Sequence, residues 1–245
     1  MTMQAAHRPA SGTAFVALYR LFLRGQLTRL RAVGLGLLGG VAILLTLLAR
    51  SADDPTEAAT GVIAEFGLGV VAPVCTLWIA TSLLGDLTED RLLAYLWLKP
   101  IPRWVLPLAA FAATVTVMVP LVVVPLTVAA IASGVGDLVL ATAAASILAV
   151  IGYGGIFVAL GSRFSRALWW GLLYVLVWEN AVARIADGTA RLAVRSYVNT
   201  VVARATDVDL SLASRGPVTM VVVPLLIGAA GIAVAVWVMR TRDID

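Results

Sequence analysis

The sequence predicts an all-α, polytopic membrane protein with six transmembrane helices, and three observations carry that prediction. The 245 residues are 61% hydrophobic and only 13% charged, about half the roughly 25% charge of a soluble domain. The mean hydropathy is +0.98. Several apolar blocks reach the ~18–20 residues that a helix needs to cross the hydrocarbon core. The alternating segments of about ten residues that mark a membrane β-barrel are absent from the sequence, so the spans are read as helices.

Residues 1–31 are expected to form a tail and an amphipathic elbow helix. Phe15, Leu18, Tyr19, Phe22, Leu23, Leu27 and Leu30 recur at helical spacing, with Arg20, Arg24 and Arg31 on the opposite side. Such a helix lies in the interface, its arginines on anionic headgroups. The transmembrane domain, 32–239, is expected to hold spans at 32–48, 62–85, 104–132, 138–161, 167–186 and 217–239. Pro107, Pro120 and Pro125 predict kinks or broken ends in the third. Small residues four apart predict helix contacts at Gly36/Gly40, Gly155/Ala159 and Gly231/Ala235, either within the monomer or across a dimer seam.

Between the last two spans, Val194, Tyr197, Val198, Val201, Val202 and Ala205 form an apolar stripe. Arg191, Arg195 and Asn199 form a polar row beside it. The pattern predicts an outer interfacial helix at about 189–205, a lid on the loop or a gate over an exit. Residues 240–245 are a short tail.

Charge placement predicts the orientation. With the N-terminus inside, inner segments hold twelve basic residues and outer segments six, while Asp53, Asp54 and Glu57 dominate the first outer loop. The positive-inside rule then places both termini in the cytoplasm. The net charge of +4 is accounted for by this topology and by inner-leaflet contact, with no nucleic acid required. Residues 1–13 lack a signal-peptide pattern, so the first span is expected to stay in the mature protein.

Chemistry has little to work with. Cys75 is the only cysteine and His7 the only histidine, which excludes an internal disulfide and a cysteine or histidine metal cluster. No phosphate-binding G-x-x-x-x-G-K-[ST] loop and no nucleophile elbow occur. No catalytic residue or metal site is predicted, and the chain is expected to bind no cofactor. Two carboxylates fall within the spans, Glu65 and Glu179. Glu65, near the outer end of its span, is expected to be solvated. Glu179, in Trp178-Glu179-Asn180, lies roughly 18 Å into the fifth span. A carboxylate there must face the protein or a cavity. It is either a structural anchor, to Arg184 or the outer helix, or a polar point on a transport route.

A charged island separates the second and third spans. Asp86, Glu89 and Asp90 open a helix-like segment, Leu92, Leu93, Leu96 and Trp97 give it an apolar side, and Pro100 and Pro102 stop it before Arg103. The stretch from Leu84-Gly85-Asp86 through Arg91, Leu93, Tyr95, Trp97, Lys99-Pro100 and Pro102-Arg103 resembles the coupling segment of type-2 ATP-binding-cassette (ABC-2-like) exporter permeases. Trp178-Glu179-Asn180 and Leu192–Tyr197 are similar to bacterial members, although prolines common in the fifth span of many relatives are missing.

That resemblance implies an elbow helix, six spans and a cytoplasmic coupling helix within 86–103. It implies a permease subunit in a bacterial inner or plasma membrane, paired with a second permease copy or paralogue. Two cytoplasmic ABC ATPase subunits would bind the ATP and magnesium. On this reading Asp86, Glu89, Asp90, Arg91, Leu93 and Trp97 meet the ATPase. Two rivals stay open: a proton-coupled secondary transporter that uses Glu179, and a non-transporting scaffold or sensor subunit. Substrate identity is not legible.

Overall fold

A computed structural model describes residues 11–26, 29–89, 102–164, 166–179, 190–210 and 215–241. The first helix, α1, spans Ser11–Gln26. Leu18 and Phe22 are buried, and Phe15, Tyr19 and Leu23 pack against the core beside them, while Arg20 and Arg24 stay exposed. Phe15 and Tyr19 stack at 6.2 Å, and the Tyr19 hydroxyl lies 3.0 Å from the Thr116 hydroxyl. The amphipathic stripe therefore seats α1 on the bundle.

Helix α2, Arg29–Ala49, keeps Leu35, Ala42 and Thr46 inside and leaves Leu37, Leu44 and Leu48 outside. Its contacts with the bundle differ from the predicted ones. A Cβ added at Gly36 or Gly40 would meet nothing within 4 Å, whereas one at Gly39 would lie 2.6 Å from Pro125 Cβ. Within the monomer, Gly39 and not the Gly36/Gly40 pair carries the close approach, which leaves Gly36 and Gly40 facing outward.

Helix α3 comprises Pro55–Val62, a π-helical stretch Ile63–Val71 and Ala72–Glu89 without a break. Asp54 caps it, its carboxylate accepting from the backbone N–H of Thr56 at 2.9 Å and of Glu57 at 3.0 Å, and Pro55 occupies the first turn. The wider turn is evident where the Ala72 N–H bonds Gly67 O, five residues back. The expected new helix at Asp86 is not what the described backbone holds. Asp86 and Glu89 belong to the last turns of α3, and 90–101, with Asp90, Arg91, Leu93 and Trp97, lie outside the described residues.

Helix α4 runs from Val105–Met118 through a π-helical stretch Val119–Val123 to Val124–Ser133. The expected break at its prolines does not occur. Pro107 lies in the first turn, where a backbone N–H would have no partner in the helix, so the proline's lack of one costs nothing. Pro120 and Pro125 sit in and just after the wide turn, which the Val124 N–H closes onto Val119 O. Gly134, at φ 83°, then ends the helix in the left-handed region.

Helix α5, Gly136–Arg163, is the central rod and touches α3, α4, α7 and α8. Helix α6 comprises Ala167–Leu173 and the π-helical Tyr174–Glu179. Helix α7 is Val194–Thr206 and α8 is Thr219–Thr241. Helices α5 and α8 run in parallel and almost backbone to backbone, because a Cβ on Gly155 or Gly231 would fall on the other's main chain. The expected contacts at these two glycines are present. The basic end of the bundle gathers Arg163 at the close of α5 and Arg103, whose Nη1 donates to Arg240 O at 3.1 Å.

Every regular element among the described residues is helical. Four stretches are long and apolar enough to cross a membrane: Pro55–Leu83, Val105–Ser133, Gly136–Arg163 and Thr219–Thr241. Val33–Ala49 and Ala167–Glu179 are shorter apolar helices. Several buried hydroxyls are satisfied within their own helices, as with Thr46 to Ala42 O and Thr76 to Ala72 O, the economy expected of helices in hydrocarbon.

Candidate functional site

Val194 and Arg195 open α7, and their backbone N–H groups have no partner within the helix. Glu179, the last residue of α6, supplies one. Its carboxylate accepts from Val194 N at 3.0 Å, from Arg195 N at 3.2 Å and from the Tyr174 hydroxyl at 2.8 Å. The side chain is fully buried. A negative charge at the positive end of a helix dipole is favourable, so a remote carboxylate performs the work of an N-cap. Tyr153 and Phe157 of α5 stack at 5.8 Å, and Phe157 meets Tyr174 edge-on at 6.2 Å. These rings wall the carboxylate from lipid.

The depth of this joint follows from α5. Val194 fills the notch at Gly152, where a Cβ would lie 3.1 Å from Val194 Cγ1. Gly152 stands roughly 16 Å along the helix from Arg163, about half the ~30 Å hydrocarbon core. The last described residue of α6 and the first turn of α7 therefore meet beside the middle of α5. From there α7 returns toward the start of α8, where Arg204 Nη2 donates to Arg215 O at 3.0 Å and Arg215 Nε to Ser196 Oγ at 2.8 Å.

The interfacial helix predicted at 189–205 is thus corrected in both extent and setting. It starts at Val194, and Val194–Thr200 are all buried. Of the polar row, Arg191 is exposed, whereas Arg195 and Asn199 are buried. Arg195, 1% exposed, turns into the protein and pairs with Glu65 of α3, Nη2 to Oε2 at 2.5 Å. Gly69, one turn along α3, makes room: a Cβ there would lie 2.7 Å from Arg195 Cζ. Glu65 is correspondingly ion-paired, although 46% of its side chain remains exposed. Among the described residues, the buried amide of Asn199 and the hydroxyls of Thr60, Thr142 and Ser146 have no hydrogen-bond partner. The outer part of the α3–α5–α7 region is therefore polar inside.

Two carboxylates on different helices hold the first two residues of α7, one by the backbone and one by a side chain. No protein-family model matches this chain, and no curated protein matches it in sequence. The geometry has to be read on its own terms. Among the described residues no group of three His, Cys, Asp or Glu side chains could hold a metal ion. What the arrangement can do is mechanical: it makes α3, α6 and α7 move together.

Of the predicted site residues, the structure joins Glu179 to α7, the anchoring alternative with the outer helix as partner. Trp178 lines an apolar recess with Phe164, Trp170 and Tyr174. Asn180 lies outside the described residues. Sequence reasoning missed the pairing of Glu65 with Arg195 and the part of Tyr174. One signal was present: a carboxylate within a span followed one turn later by Gly69, which leaves room for a large cation.

The two carboxylates should respond differently to loss of their partners. Arg195→Met removes a cation from a half-exposed carboxylate, which regains water. Its cost should be about 1 kcal/mol, read as a modest fall in the midpoint of heat-induced loss of the monodisperse size-exclusion peak. A fall as large as that from removing Glu179 would mean that Glu65 is sealed from solvent.

Proposed function

We propose that this chain is the membrane-spanning permease subunit of an ATP-binding-cassette exporter, driven by separate ATPase subunits. The observation that carries the reading is the segment Leu84–Arg103 with its place in the chain. It resembles the coupling segment of type-2 permeases, and it joins α3 to α4 at the basic end of the bundle. The docked amphipathic α1 and the helix that re-enters before α8 support the same layout. On this reading Val33–Ala49 and Ala167–Glu179 belong to the first and fifth of six spans, and the basic end lies in the cytoplasm of a bacterium.

The mechanism uses α3 as a lever. A helix unbroken from Pro55 to Glu89 measures on the order of 50 Å. It carries the coupling segment at one end and Glu65 near the other. Force applied at Asp86–Trp97 reaches α7 through Glu65–Arg195, and Glu179 makes α6 follow. Rocking of this unit against a second permease would open the interface to either side in turn. Glu179 is then a positioning residue, since three donors already occupy its oxygens. That occupancy weighs against the secondary-transporter alternative.

The test is whether a neighbouring gene encodes a P-loop ATPase, followed by co-expression of that ATPase with this chain. The pair should co-purify, and the permease should stimulate ATP hydrolysis. Replacing Glu89 and Trp97 by alanine should abolish that stimulation while the permease assembly persists on size exclusion. Stimulation that survives both substitutions unchanged would refute docking at the island. Failure of any ATPase to co-purify would favour the scaffold reading.

A further inference from the structure

Two apolar recesses flank the basic-end half of α5. One, about 440 Å³, lies between α5 and α8, and the other, about 330 Å³, between α5 and α6. Both are lined by Ile156, Leu160 and Phe164, so they adjoin across this ridge of α5 as two lobes of one apolar surface groove. Along α8 the lining runs from Ile227 to Val238, roughly 16 Å of helix. That equals about half of the ~30 Å hydrocarbon thickness, the depth of a single leaflet.

The ends of the groove differ. Its walls carry no charge except that of Arg163, which closes α5. The guanidinium lies 5.6 Å from the Phe164 ring centroid, and Phe164 packs against Trp170 at 5.5 Å. Trp237 stands exposed beside them. Aromatic rings with an arginine mark the headgroup level of a bilayer. Among the described residues no carboxylate lines either lobe, and the guanidinium meets only the face of the Phe164 ring there.

We propose that this groove binds an anionic glycerophospholipid, with an acyl chain along α8 and the phosphate on Arg163. The length, the apolar wall and the single cation at the headgroup end each match that ligand. Phosphate offers a guanidinium both charge and paired acceptors, and basic pockets between membrane helices select acidic headgroups. A second copy of the chain is a poorer occupant. Its outward residues, such as Leu37, Leu44, Trp169 and Leu226, are apolar, and they would cover the guanidinium without compensating it.

Native mass spectrometry of the purified protein, given equimolar phosphatidylglycerol and phosphatidylcholine of identical chains, tests this. The wild type should retain phosphatidylglycerol with about five-fold preference, the effect of one basic group at a headgroup. Arg163→Gln should bring the ratio to about one. Ala230→Trp, which fills the α8 lobe from an exposed position, should lower retention of both lipids. Arg24→Gln, which removes an exposed arginine from α1, should leave the preference intact. Equal retention by the wild type, or a preference that survives Arg163→Gln, overturns the proposal. An equal loss in Arg24→Gln reduces it to general charge attraction and also overturns it. A dimer that excludes the lipid would assign the groove to a second copy instead. None of these outcomes depends on an ATPase partner.

Discussion

Glu179→Ala should be the most damaging single side-chain truncation in this chain, lowering stability by about 3 kcal/mol or preventing recovery of folded protein. The carboxylate receives three donors: two backbone N–H groups at the start of α7 and the Tyr174 hydroxyl. Interhelical hydrogen bonds in membranes average only about 0.6 kcal/mol, which argues for a smaller loss. That average, however, covers side chains that can find another partner. The N–H groups of Val194 and Arg195 point along the helix axis from fixed backbone positions, beside Gly152 and behind a wall of aromatic rings. Neither water nor another carbonyl reaches them easily, so the cost of leaving a buried donor unmet applies. The favourable charge at the helix N-terminus is lost as well.

Glu179→Gln keeps one acceptor oxygen but turns an amide N–H₂ toward groups that are themselves donors. It should fall between wild type and alanine. Heating in detergent followed by fluorescence-detected size exclusion gives the order directly. Wild-type stability in Glu179→Ala would show that α7 is held by its apolar contacts alone. Wild-type stability with lost transport in Glu179→Gln would instead restore a titrating role for the carboxylate.

The architecture was legible wherever composition and period alone decide the outcome. The apolar runs located the four long helices, and the Phe15–Leu23 stripe located α1 and its buried side. The stripe at Val194–Ala205 located α7 but misjudged its surroundings. Periodicity separates two sides of a helix, and it does not say whether the polar side meets water or another protein surface. Arg195 belongs to a row that is equally consistent with headgroups and with a buried carboxylate. Its partner, Glu65, lies on a helix that only the tertiary fold brings alongside. The unbroken course of α4 was hidden for a related reason. Proline forbids an ordinary interior turn, but a wider turn spares the missing N–H, and no residue pattern announces it.

Glycine shows the same limit and yields the second large effect. Gly155→Ala and Gly231→Ala should each destabilise the protein by about 1–3 kcal/mol, whereas Gly36→Ala and Gly40→Ala should be neutral or stabilising by up to about 1 kcal/mol. By spacing alone the two pairs were alike. In the fold, a Cβ on Gly155 would collide with the carbonyl and Cα of Gly228, and one on Gly231 with the backbone of Gly155. These are main-chain atoms of two parallel helices, so no side chain can rotate out of the way. Helix α8 would have to move outward as a whole, losing its dispersion contacts with α5 along the seam. A Cβ on Gly36 or Gly40 meets open space, and there the substitution only improves helix propensity. Four matched glycine-to-alanine variants, compared by thermal stability and by proteolysis of α8, separate these cases. If Gly155→Ala proved as stable as Gly36→Ala, α5 and α8 could not be in backbone contact, and the groove beside Gly231 would lose its shape along with them.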